Sequence, residues 1–94
     1  MEDKIGNLDE EALEQILSRC TAAGPKPWKS FVEGRDHHCG SDFIMVGEDN
    51  ERGDDIELTG ATFAAQDFIA NARQDIPKLI LEIRRLRAII NSAG

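Results

Sequence analysis

The residues with the richest ligand chemistry lie in the segment RDHHCG, residues 35–40. Imidazole nitrogens and a thiolate are common zinc ligands, and Asp36 adds a carboxylate oxygen. Consecutive residues of an extended chain point to opposite sides, so His37, His38 and Cys39 seldom reach one metal ion. Zinc motifs also separate paired ligands by two or more residues, and the sequence contains no second pair. We therefore predict no metal site and no cofactor, and we interpret the segment as a polar hairpin turn or as a ligand contact.

Motifs for catalysis and for phosphate binding are missing from the sequence. In the acidic segment EDNERGDD, residues 48–55, Arg52 stands just before Gly53, where a calcium loop needs a ligand. The sequence has no G-x-S-x-G elbow and no glycine-rich phosphate loop. Carboxylates are plentiful, but nothing distinguishes one pair from a solvated surface. We therefore predict that the protein is not an enzyme.

The segment GPKPWKSF, residues 24–31, contains the single tryptophan of the chain. Pro25 and Pro27 restrict the approach to Trp28, so its ring suits either core packing or the stacking of a base. Lys29 follows directly and provides a cation for a phosphate. Arginines at helix ends are further anion candidates, although a favourable helix-end charge also explains them. The predicted ligand-binding residues are Trp28, Lys29, Arg35, His37, His38 and Arg73.

The charge of the chain is acidic but unevenly distributed. The 94 residues carry a formal net charge of -7, which disfavours a protein that grips a nucleic acid polymer through its phosphates. Residues 1–14 and 33–57 hold most of the excess acid, whereas residues 19–29 and 73–87 are relatively basic. A small anion therefore still has local positive sites, and the acidic segments suit a basic protein partner.

Capping residues and breaks in hydrophobic periodicity predict a single domain, residues 1–94, with an α+β fold. The first helix is expected over residues 7–23, with Asn7 as its N-cap and Gly24 ending it. Residues 28–60 predict a three-stranded antiparallel β-meander, with strands near 28–34, 42–47 and 55–60 and glycine-containing turns between them.

Two helices are expected at the end of the chain, over residues 62–92. Thr59 or Thr62 caps the first of them, and Asp75 caps the second. Pro77 fits the first turn of a helix, so we predict a break near Gln74 and Asp75. The last helix is long and apolar, with residues at alternating three- and four-residue spacing. The predicted oligomer interface consists of Ile76, Leu79, Ile83, Leu86 and Ile90.

The alternative is that this stripe belongs entirely to the core of one chain. However, a domain of this size has a thin stability margin and often gains stability by oligomerising, so we expect a dimer or a larger assembly. No apolar run is long enough to cross a membrane, and the N-terminal segment has no signal-peptide pattern. With only two cysteines, a cytoplasmic setting is expected.

Two segments, AAGPKPW at residues 22–28 and FIANARQDIPKLILEIRRLR at residues 68–87, form a recognisable pair. Together they resemble a family of small, mostly uncharacterised phage and prophage proteins. The family pattern combines a Gly-Pro-Trp-like segment with a Phe-Ile-Ala-x-Ala-Arg-x-Asp-x-Pro helix junction; here Lys26 replaces the expected glycine. The matching junction residues are Phe68, Ile69, Ala70, Ala72, Arg73, Asp75 and Pro77.

The resemblance implies a phage accessory protein that acts in the cytoplasm of a bacterial host. Phage proteins of this size often disarm host immunity, and one strategy is an oligomeric sponge. We therefore expect a counter-defence protein that binds and sequesters a small anionic nucleotide immune signal without catalysis. The alternative is an acidic protein–protein inhibitor or scaffold that acts on a host protein through residues 48–55 and the first helix.

Overall fold

The computed structural model describes residues 8–38 and 40–93. Its elements are helix α1 (Glu10–Ala23), strands β1 (Trp28–Phe31), β2 (Phe43–Val46) and β3 (Ile56–Glu57), and helix α2 (Phe63–Ala93). A short 3-10 helix, Asp49–Glu51, connects β2 to β3. The strands form one antiparallel sheet in the order β1-β2-β3. The predicted α+β fold with a three-stranded meander is therefore confirmed.

Helix α1 begins one turn later than the sequence suggested. Asp9 is its N-cap, and the Asp9 carboxylate accepts the backbone N–H of Ala12 at 2.8 Å. The predicted cap, Asn7, lies outside the described residues. The helix ends before Gly24, as predicted, because the following prolines cannot continue a helix.

The core forms where α2 crosses one face of the sheet and α1 packs beside α2. Val32 and Ile44 are fully buried under α2, while Leu13 of α1 and Ile80 of α2 are buried between the helices. The two helices run in opposite directions. Arg73 donates to the carbonyl of Gly24 near the end of α1, whereas Arg84 contacts carboxylates near its start.

Helix α2 is one continuous helix, so the predicted break near Gln74 and Asp75 is wrong. Thr62 caps it as predicted, accepting the N–H of Ala65 at 3.0 Å, but Asp75 lies within the helix and caps nothing. Pro77 is inside the helix and removes one backbone hydrogen bond. Contacts lie on both sides of the proline. Before it, Gln66 and Gln74 bind the sheet and Arg73 binds the end of α1; after it, Arg84 pairs with carboxylates of α1.

The opposite face of the sheet carries a small aromatic cluster. The rings of Phe31 and Phe43 stack across β1 and β2 with centroids 5.3 Å apart. His37 packs edge-on against Phe43 at 5.1 Å. Segment 35–38 therefore folds back over the sheet after β1, as part of a turn. Among the described helices, none combines the length and the apolar character needed to cross a membrane.

Candidate ligand-binding groove

An open groove of about 610 Å³ lies between the outer edge of β1 and helix α2. Its walls include three residues of the predicted ligand-binding set, namely Trp28, Lys29 and Arg35. Asp67, Asn71 and Gln74 line it from α2. The groove therefore combines cations, carboxylates and amides beside the exposed backbone of an edge strand.

The backbone of β1 alternates between its partner strand and this groove. The N–H of Gly47 donates to the carbonyl of Pro27 at 2.9 Å, which makes Pro27 and Gly47 a hydrogen-bonded pair. In the observed register the next such pair is Lys29 with Met45. The backbone N–H and C=O of Trp28 and Ser30 therefore point away from β2 and towards the groove.

Gln74 satisfies both outward groups of Trp28. Its side-chain oxygen accepts the N–H of Trp28 at 2.9 Å, and its side-chain nitrogen donates to the carbonyl of Trp28 at 2.9 Å. A neighbouring strand would make the same pair of hydrogen bonds. One glutamine side chain thus closes the Trp28 end of the edge, and Ser30 remains the outward residue in the middle of β1.

An ion pair closes the other end of the groove. The Arg35 guanidinium donates two hydrogen bonds to the Asp67 carboxylate of α2, at 2.9 and 3.0 Å. It also contacts Asp36 at 2.8 Å, and Asp36 accepts the N–H of Val32. Bidentate pairs of this type are among the stronger protein hydrogen bonds, although solvent weakens this one because both side chains are partly exposed.

The ion pair shifts the protonation of its members. The hydrogen bonds from Arg35, followed by one from the Ser30 side chain, lower the pKa of Asp67 from 3.8 to about 2. Arg35 likewise lowers the pKa of Asp36, with a further contribution from the Val32 N–H. The two carboxylates raise the pKa of Arg35. At neutral pH the groove therefore contains a charged arginine with both carboxylates ionised.

Gln66 anchors α2 to the sheet directly beneath the groove. Its side-chain nitrogen lies within hydrogen-bond distance of the Ser30 hydroxyl at 2.9 Å and of the carbonyls of Phe31 and Phe43 at 3.1 Å each. The side chain is almost fully buried, with 2% of the residue exposed. Gln66 therefore fixes the position of Ser30 relative to α2.

The other predicted ligand-binding residues lie elsewhere. Arg73 donates to the carbonyl of Gly24 at 2.8 Å and holds the end of α1. His37 packs on the aromatic cluster, and His38 is exposed on the turn. The structure thus brings together Trp28, Lys29 and Arg35, and it does not place the other three in the groove.

Trp28 has an intermediate environment. Its residue is half-buried and lines both the groove and a second cavity of about 330 Å³ between the two helices. The indole N–H is buried, and no acceptor for it lies among the described residues. The second cavity is mainly apolar, with Ile16 and Cys20 on the α1 side and Ile69 and Ile76 on the α2 side. The ring therefore serves packing on one side and borders the groove on the other.

The prediction of no metal site involves Asp36, His37, His38 and Cys39. Cys39 lies outside the described residues. Within the described ones, no group of three or more histidine, cysteine, aspartate or glutamate residues is placed to hold a metal ion.

Comparisons with known proteins give no relative. No protein family matches the sequence, and neither curated proteins nor solved structures give a significant match. The resemblance to phage proteins therefore stays a prediction.

The sequence analysis missed the residues of α2 that shape the groove. Gln66 and Gln74 are eight residues apart, and Asp67 and Gln74 are seven apart, so both spacings bring side chains to neighbouring sides of a helix. This spacing is the sequence signal that could have identified these groove residues. It applies only if the helix is continuous, because a break near Gln74 would change the direction of the Gln74 side chain relative to Gln66 and Asp67.

Proposed function

We propose that the protein is a non-catalytic binding protein that captures a small anionic ligand of the nucleotide class in the β1-edge groove. The observation that carries the proposal is the meeting of Trp28, Lys29 and Arg35 in one groove beside an outward-facing strand backbone. The proposal agrees with the phage counter-defence role that the family resemblance implies, in which an immune signal is sequestered intact.

The charges of the groove suit an exchangeable anion site. Lys29 is exposed at its wall, and Arg35 already holds the carboxylate of Asp67 in a two-point contact. A phosphate presents the same pair of acceptor oxygens to a guanidinium. A ligand phosphate takes the place of Asp67 on Arg35, while Lys29 adds a second cation.

Self-association along α2 forms the second part of the proposal. The stripe proposed for the contact consists of apolar residues at alternating three- and four-residue spacing, namely Ile76, Leu79, Ile83, Leu86 and Ile90. Ile76 borders the cavity that faces α1, whereas Leu79 is 61% exposed, Leu86 44% and Ile90 66%, so α1 leaves the side with these three leucine and isoleucine residues open. A second copy carries the same stripe at the same spacing and covers it by knobs-into-holes packing.

Arg35→Ala and Arg52→Ala form a matched pair for testing ligand capture. Both arginines are partly exposed and paired with an aspartate, but Arg52 pairs with Asp55 outside the groove. We expect isothermal titration with nucleotides to show binding for the wild type and R52A, and weaker binding for R35A. Chromatography of the recovered nucleotide should show no product, and either equal binding by R35A or turnover would contradict the proposal.

The acidic loop supports a second candidate function, inhibition of a basic host protein. Glu48, Asp49, Glu51, Asp54 and Asp55 are all exposed, and Arg52 pairs with Asp55 alone among them. Their combined charge suits a basic surface. The test compares how well each variant protects a phage from the immunity of its bacterial host. If E48K/E51K no longer protects the phage and R35A still does, this candidate is favoured over nucleotide capture.

A further inference from the structure

The open part of the β1 edge is short and has a defined chemistry. The Gln74 side chain covers Trp28 at one end, and the Arg35–Asp67 ion pair stands at the other. Asp67 and Gln74 are seven residues apart on α2, which corresponds to roughly 10 Å of helix. Between these two bridges the ladder directs one N–H and one C=O, those of Ser30, into the groove.

We propose that the backbone N–H and C=O of Ser30 bind the edge of a nucleobase. This inference rests on the proposed function and names the part of the ligand that the groove recognises. In an antiparallel sheet, one residue offers its donor and acceptor side by side to the residue opposite. The Watson–Crick edge of a nucleobase also places a hydrogen-bond acceptor beside a donor, and single-stranded bases are read on this edge.

The cations of the groove lie where the phosphate of a nucleotide would be if its base binds Ser30. Lys29 and Arg35 flank Ser30 along the groove and are the groove cations that can reach a phosphate. Asn71 of α2 lies between the two bridges and lines the same space, so its amide adds a polar contact for the base or the sugar. A base on Ser30 thus leaves its phosphate within the region of positive charge.

An extended peptide strand fits the groove less well. Strand addition requires a continuous free edge over several residues. Here a strand would have to displace Gln74 from Trp28, because contacts between the described residues leave only Ser30 of this edge with both outward backbone groups uncovered. The proposed nucleotide exchanges its phosphate with Asp67 on Arg35 but leaves Gln74 bound to Trp28, so the geometry favours the base over a strand.

The test removes the backbone N–H donor of residue 30. Ser30→Pro removes the outward N–H, and proline is tolerated on an edge strand where that N–H does not serve the ladder. Ser30→Ala is the matched control, because it loses the same hydroxyl contacts to Gln66 and Asp67 but keeps the N–H. Far-UV circular dichroism verifies the fold of both variants.

Binding is measured by NMR titration with the four ribonucleoside 5′-monophosphates and with ribose 5-phosphate, which lacks a base. We expect the wild type to bind at least one nucleotide and S30P to bind it about tenfold more weakly than S30A does. The Ser30 amide signal of the wild type should move with nucleotide but not with ribose 5-phosphate. The wild-type comparison decides the inference even if S30P does not fold.

The possible failures are distinguishable. Equal binding of ribose 5-phosphate and nucleotides would overturn base recognition by Ser30 and leave anion capture intact. If folded S30P binds nucleotide with unchanged affinity, base recognition by Ser30 is also overturned and anion capture is left intact. Absence of binding by every probe would overturn the proposed function as well, and binding of an extended peptide in place of nucleotides would overturn both.

Discussion

The side-chain amide of Gln74 holds both backbone polar groups of Trp28, with each hydrogen bond 2.9 Å long. A helix side chain thus takes the place of a neighbouring strand at one residue of an edge strand. The arrangement protects this part of the edge from pairing with another chain. It also fixes α2 along β1 and leaves Ser30 as the open residue of the groove.

Gln74→Ala should destabilise the fold by about 1–2 kcal/mol, because the two backbone groups of Trp28 lose their partners in a partly buried place. Asn71→Ala is the control, since the Asn71 amide is exposed and donates to the carbonyl of Asp67 in its own helix. Urea unfolding of the two variants measures the difference. Equal stabilities would show that water replaces the Gln74 amide without cost.

Gln66→Ala should cost more than Gln74→Ala, about 3 kcal/mol, because Gln66 is fully buried and its loss leaves a cavity. The Ser30 hydroxyl and the carbonyls of Phe31 and Phe43 also lose a hydrogen-bond partner. Urea unfolding of both variants compares their free energies of unfolding. A smaller effect for Q66A than for Q74A would contradict the burial argument.

Gly47→Ala should be more damaging than Gly34→Ala. Both glycines have a positive φ, 72° at Gly47 and 85° at Gly34. Each variant therefore forces an alanine into the left-handed conformation, which destabilises the fold by about 1–2 kcal/mol. At Gly47 a Cβ would also overlap the backbone oxygen of Glu51, whereas at Gly34 no described residue beyond the two chain neighbours has an atom within 4 Å of a Cβ. Thermal unfolding should show the larger loss for G47A, and equal losses would contradict the close approach.

The Arg35–Asp67 ion pair should make stability depend on pH in the acid range. The folded state lowers the pKa of Asp67 to about 2, so the contribution is complete above about pH 4 and is lost as the pH falls towards 2. Asp67→Asn should therefore be less stable than wild type at neutral pH, and the difference should shrink through that window.

Asp75→Asn is the charge-matched control for this experiment, because Asp75 is an exposed carboxylate on the same helix. Chemical unfolding at a series of pH values measures both variants against the wild type. A difference between D67N and wild type that stays constant down to pH 2 would contradict the role of the ion pair.

Leu79→Glu should abolish the self-association proposed along α2, and Leu81→Glu should not. Leu79 and Leu81 are equally exposed, at 61% and 64%, and two residues on a helix lie on different sides. Leu79 belongs to the regularly spaced stripe and Leu81 does not. Sedimentation velocity should therefore show a monomer for L79E and an assembly for L81E. The same mass for both variants would contradict pairing through the stripe.

Local sequence signals predicted the elements of this fold well. The glycine-proline segment after α1, the β-branched and aromatic runs of the strands and the turn glycines between them all act within a few residues. The N-cap of α1 is Asp9 and its first helical residue is Glu10, because Asp is as good a cap as the Asn that the sequence analysis chose. Within the described residues, the meander has the order that short connections favour.

Long-range contacts account for what the sequence did not show. Pro77 predicted a break, but α2 is one helix, and long-range contacts of Gln74 before the proline and of Arg84 after it support both of its halves. Gln66 is polar and yet buried, because its amide finds three acceptors that only the folded sheet places together. Arg35 and Asp67 are far apart in sequence, so the groove between them has no local signature.

Native mass spectrometry of the purified protein, incubated with the four ribonucleoside 5′-monophosphates, tests the central claim most directly. It reports the number of chains and the mass of any bound ligand in one spectrum. The account predicts a species of two or more chains that carries intact nucleotide, with the nucleotide reduced in R35A and retained in R52A. A single chain without nucleotide would contradict both the pairing along α2 and the capture of a ligand in the groove.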